Sequence, residues 1–183
     1  WAQRDPEGAM DWLGTQAEPG LRQRAARSVL MRVARQDPVA ALRLAGRSGP
    51  DGEPMLEDGR DVVLQSWAQE APVAAADAYA ALPPEQRTDR TAQQIASAMA
   101  REDPQRAASW ASGLGPGAGD RALAGVVATL SAEDPVAAAR LARSIPSSAA
   151  RLEASVPLLN RLGRADPDAA LAFASEEPDP DTR

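Results

Sequence analysis

The side chains of this chain best placed to do chemistry are carboxylates, and five of them recur in one setting, an aspartate followed by a proline. The pairs are Asp5-Pro6, Asp37-Pro38, Asp103-Pro104, Asp134-Pro135 and Asp166-Pro167, and Ala71-Pro72 fills the one gap in the series. A recurring carboxylate can act as a general acid or base if a second one shares a shielded cleft, or it can cap the unpaired N–H groups that open a helix. The steps between copies are 32, 34, 32, 31 and 32 residues. Capping explains that period and catalysis does not, because proline suits the first helical position, where its missing N–H costs nothing.

Other chemistry is sparsely provided. Histidine and cysteine are both absent, which removes imidazole- and thiol-based catalysis, zinc sites of the usual kind, haem ligation by histidine, and disulfides. The glycine-rich run 113–119 follows no strand and lacks the Gly-Lys-Ser/Thr ending of a phosphate-cradling loop, so it reads as an inter-helix loop. Residues 52–59 (Gly-Glu-Pro-Met-Leu-Glu-Asp-Gly) cluster acids without the spacing of a calcium-binding loop. The terminal Asp179-Pro180-Asp181 run reads as a solvated tail. Twenty basic residues, all arginine, stand against 26 acids, a net charge of −6, which argues against general nucleic-acid binding. No cofactor is expected, and no enzymatic activity. No run approaches the roughly eighteen apolar residues of a membrane span.

The elements that would carry these residues follow from the same register. Four residues after each cap position stands alanine: Ala9, Ala41, Ala75, Ala107, Ala138 and Ala170. Seven after it come Trp12, Leu44, Ala78, Trp110, Leu141 and Phe173, with Tyr79 able to serve beside Ala78. This periodicity predicts a helix of ten to twelve residues after each cap, with a small residue and a large one on its buried face. Before each cap, Trp1, Val33, Trp67, Met99, Leu130 and Leu162 continue an apolar stripe through Val29-Leu30, Val63-Leu64, Ile95-Ala96, Val126-Val127 and Leu158-Leu159, predicting a second helix of about fifteen residues. The tryptophans share slots with Leu, Val and Met and read as core. Turn-rich segments, among them 18–20, 46–59, 82–84, 113–119 and 145–148, separate the two helices of each repeat.

A lone helical hairpin of this kind leaves a face uncovered, whereas hairpins in series share a continuous core. The expected fold is therefore all-α, an α-solenoid of about six stacked helical hairpins with a period of about 32 residues, wound as a right-handed superhelix and forming one repeat domain over residues 1–183. Trp1 to Arg4 match the last turn of a second helix, and the sixth first helix has no second helix after it, so the chain reads as a fragment of a longer protein. A composition about one-fifth alanine, free of lysine and rich in arginine, points to a high-GC bacterial genome. Freedom from cysteine fits cytoplasm and periplasm alike.

The recurring aspartate, alanine four residues on and aromatic or leucine three further on resemble the pattern of the tetratricopeptide-like superfamily, including its Sel-like branch, over nearly the whole chain. The glycine-rich bend of Sel-like repeats is missing from Val33-Ala34-Arg35-Gln36-Asp37. The resemblance implies a scaffold that binds a protein or peptide in a concave groove lined by the first helices. Six residues after each cap, off the apolar face, stand Asp11, Arg43, Asp77, Ser109, Arg140 and Ala172, alongside Arg47, Arg106 and Arg143. Were these to line the groove, Asp11, Arg43, Arg47, Asp77, Arg106, Arg140 and Arg143 would form a mixed-charge strip suited to an acidic or extended peptide. Two alternatives stay open. One is a carrier of an apolar ligand such as a lipid, for which Met10, Leu42 and Leu171 are the candidate groove residues; the other is a superhelical, non-catalytic domain of a larger enzyme of the cell-wall lytic type.

Overall fold

The computed structural model describes residues 4–15, 18–49, 52 and 54–176, and Trp1, Glu53 and the acidic tail from 177 onward lie outside that set. Among the described residues the chain is all-helical. Six helices start at the prolines of the repeat: α1 (Pro6–Gly14), α3 (Pro38–Ala45), α5 (Pro72–Ala81), α7 (Pro104–Ser112), α9 (Pro135–Ala142) and α11 (Pro167–Glu176). Between them run α2 (Pro19–Ala34), α4 (Gly59–Glu70), α6 (Asp89–Ala100), α8 (Ala118–Leu130) and α10 (Ser148–Ala165), with one 3₁₀ turn at Pro84–Gln86.

Every aspartate of the repeat is a helix cap. Oδ1 of Asp5, Asp37, Asp103, Asp134 and Asp166 accepts the backbone N–H three residues on, at 2.8, 2.8, 2.9, 2.8 and 3.0 Å. Other side chains cap the second helices: the Glu18 carboxylate accepts from Gly20 and Leu21, Thr88 Oγ1 from Thr91, and Ser147 Oγ from Ala150. The first helices run only eight to ten residues, shorter than the periodicity suggests. They stop early because small and turn-forming residues follow: Gly46 after α3, Gly113 after α7, and Pro83 shortly after α5.

The chain divides into two compact units, Trp1–Tyr79 and Ala80–Arg183, with the end of α5 crossing the boundary. In the first, α2 packs against α1, α3 and α4, and α3 against α4. Its core gathers Met10, Leu13, Leu30, Leu44 and Val63, closed over by Met55 and Leu56 from the segment between α3 and α4. That segment is more than a turn: Ser48 bridges to Pro54, and the Met55 N–H bonds the Arg47 carbonyl at 3.2 Å. An ion pair of 2.5 Å from Arg27 on α2 to Asp58 ties down the start of α4.

In the second unit α6 lies against α8, and α8 against α10; α7 fits against α6 and α8, α9 against α8 and α10, and α11 against α10. Thus the second helices touch each other directly and the first helices sit over the seams. The repeat slots show why. The alanine four after the cap is fully or almost fully buried in α1, α3, α5, α7 and α9, and half-buried in α11. Val126 and Val127 of α8, Ile95 of α6 and Leu158 of α10 have no exposed surface.

The slot seven after the cap behaves less uniformly than its register suggests. Leu44 and Phe173 are buried and Tyr79 takes the core place beside Ala78, but Trp12 is 51% exposed and Trp110, like Trp67, is half-buried. Among the described tryptophans only Trp12 therefore leaves the core outright, its indole being too large for a contact that alanine spaces closely, while Trp67 and Trp110 border the core without being sealed in it.

Candidate functional site

None of the proposed strip residues belongs to the core, and the six positions six after the caps (Asp11, Arg43, Asp77, Ser109, Arg140 and Ala172) are all exposed. They lie on the outward face of the first helices because the alanine two positions earlier is turned to the packed side, and successive side chains on a helix turn by about 100°. Arg43 is in the last turn of α3 and Arg140 in that of α9, where a cation is favourable against the helix dipole. Arg106 is exposed in the first turn of α7, and its backbone N–H is the one that Asp103 caps. Asp77 is exposed on α5.

Two of the strip residues are brought together. Arg47 follows α3 and ion-pairs with Asp11 of α1 at 2.6 Å, with both side chains well exposed, so the pair itself contributes at most about 1 kcal/mol. Its importance is positional. The pair borders a cleft of about 210 Å³ that the buried Met10 and Met55 line together with Gly14, Ser48 and Gly49. Arg143 is engaged differently: its guanidinium sits 5.5 Å from the centroid of Phe173, a cation–π contact that ties the end of α9 to α11.

A second cleft, of about 250 Å³, occupies the corresponding place in the second unit, between the end of α7, the start of α8 and the loop after α9. The correspondence can be read from the register: Gly14 and Ser112 both stand nine after a cap, and Arg47 and Ser144 both ten after one. Each cleft thus opens where a first helix has stopped and the next first helix of the same unit hands over to its loop. This second cleft includes Asp120, which the sequence reading did not single out. The signal available was the run of glycines before it, in which Gly115 and Gly117 take φ of +80° and +83° and Gly119 opens α8.

The apolar groove candidates separate: Met10 is 1% exposed, Leu42 half-buried and Leu171 70% exposed. Met10 thus belongs to the core and lines the first cleft. Among the described residues no three acidic side chains gather as a group that could hold a metal ion, and no helix is long and apolar enough to cross a membrane. Comparison with protein-family models, with curated proteins and with solved structures finds no match.

Proposed function

We propose that this protein is a non-catalytic helical-repeat scaffold that binds an extended, acidic protein segment along the outward edge of its first helices. The observation that carries this reading is the contrast within each first helix. The position four after the cap is sealed in the packing in five of the six copies, whereas the position six after it is exposed in all six and includes Arg43 and Arg140. A packing role explains the first slot and leaves the second open for recognition. Arginine there offers a planar fork matched to carboxylates. In the same reading the six hairpins stack as one right-handed α-solenoid whose groove the first helices line, and the repeat is of the tetratricopeptide-like kind.

The test is fluorescence anisotropy with a labelled peptide alternating Glu and Ser at low ionic strength. Arg43→Glu with Arg140→Glu is expected to weaken its capture about tenfold or more while leaving the helical circular dichroism unchanged. Unchanged capture would move the site elsewhere, and binding that the uncharged Gln/Ser peptide matches would remove the electrostatic basis of the reading.

A further inference from the structure

From the second cleft we infer a receptor for one basic side chain, lysine or arginine, carried by a polypeptide partner. Its construction starts with glycine. A Cβ on Gly119 would lie 2.7 Å from the Ala111 carbonyl oxygen, so only glycine lets α8 begin hard against the last turn of α7. Gly115 and Gly117, both in the left-handed region, make the reversal that leads there. The consequence is that Asp120, in the first turn of α8, is carried inward and retains only 8% of its surface.

Its carboxylate caps the start of α8 and keeps further acceptor positions free. Oδ2 accepts the Gly117 N–H at 3.3 Å, and among the described residues this is its only hydrogen bond, with no ion pair. A carboxylate offers about four acceptor positions, so most of its capacity is unused by the protein at a residue that lines the cleft. Nearby arginines are turned elsewhere: Arg121 pairs with Glu153 on α10, and Arg151 donates to the Ile145 carbonyl at 2.8 Å. A second carboxylate, that of Asp89, lies within 4 Å of where a Cβ on Gly117 would be.

The rim points the same way. Ser112 Oγ donates to the Ala108 carbonyl at 2.9 Å and Ser144 Oγ to the Leu141 carbonyl at 2.7 Å. Each hydroxyl hydrogen is thereby used and each oxygen is left as an acceptor. Three side chains lining the cleft therefore accept and none of them has a donor to give. Leu123, Pro116 and Pro146 supply apolar wall, which suits the methylene stem that precedes an ammonium or guanidinium head. A divalent ion would call for several carboxylates, and one lines this cleft. A monovalent organic cation on an apolar stem is the matching chemistry.

This site is apart from the arginine strip and takes the opposite charge, so the two readings fail separately. The experiment is an NMR titration of the full chain with N-acetyl-lysine methylamide, compared with the norleucine analogue that has the stem without the charge. Saturable shifts at the Gly117, Gly119 and Leu123 amides with the lysine probe, and none with norleucine, are expected. Asp120→Asn keeps an acceptor for the Gly117 N–H and is expected to lower affinity about tenfold. The proposal is overturned if the lysine probe produces no saturable shift, if norleucine binds equally well, or if Asp120→Asn binds as the parent does. The norleucine comparison needs no variant and holds even if Asp120→Asn fails to fold.

Discussion

Asp103 shows what the repeated carboxylate does at the scale of one residue. Its Oδ1 takes the Arg106 N–H at 2.9 Å, and its extended backbone turns the chain into α7. Replacing it by alanine leaves that N–H to solvent and is expected to cost about 1 kcal/mol, within 0.5–2, while asparagine is nearly neutral. Urea unfolding of Asp103→Ala and Asp103→Asn would check this, and equal losses for both would point to charge rather than capping. The caps were legible in the sequence because their cause is local: a short acceptor one residue before a proline satisfies a donor three residues on. Asp120 was not legible as a cleft residue, since it is itself a capping acid, accepting the Gly117 N–H at the start of α8, and nothing local marks a second role. Its isolation depends on the approach of α7, on the burial that follows, and on its neighbours being paired elsewhere. The exposure of Trp12 escaped for a related reason, because its slot is apolar in other copies while its size exceeds the space there.

At the scale of elements, the most extensive helix contact in the second unit is that of α6 with α8. A Cβ on Gly125 would lie 2.5 Å from the Gln93 carbonyl oxygen and 2.7 Å from Ser97 Oγ. Across the same contact Ser97 Oγ donates to the Gly125 carbonyl at 3.1 Å, and that carbonyl also accepts from Thr129 Oγ1 of its own helix at 3.0 Å. Gly125→Ala must push the two backbones apart and is expected to destabilise by about 1–3 kcal/mol despite alanine's better helix propensity. Thermal unfolding decides it, and a stabilised variant would mean that the helices separate without loss. Helix α10 illustrates the converse. Val156 is 58% exposed, whereas Ala124, 32 residues earlier on α8, is 2% exposed. The same repeat slots are buried where another second helix covers them and open where none of the described residues does. Leu171 against Ala139 repeats the contrast, 70% against 7%.

For the whole molecule, freedom from histidine and cysteine and a charge of −6 remove more functions than they suggest. The proposed single stack makes a prediction in solution. A compact globule of 183 residues has a radius of gyration of about 16 Å, and six hairpins in series must exceed it. Small-angle scattering with a value clearly above that, and a long-tailed distance distribution, would support the stack, and a globular value would overturn it. The sequence by itself determined that the chain is helical, where its first helices begin, and which alanines are buried between helices. These follow from caps, prolines and a 32-residue period, all properties of neighbours along the chain. Only the tertiary structure decided that the second helices touch one another directly, that Asp11 and Arg47 meet, and that Asp120 lines a cleft with most of its acceptors unused. Those facts depend on distances between residues about 30 or more apart, or on the volume left between packed side chains, and a periodic sequence repeats its local rules without specifying either.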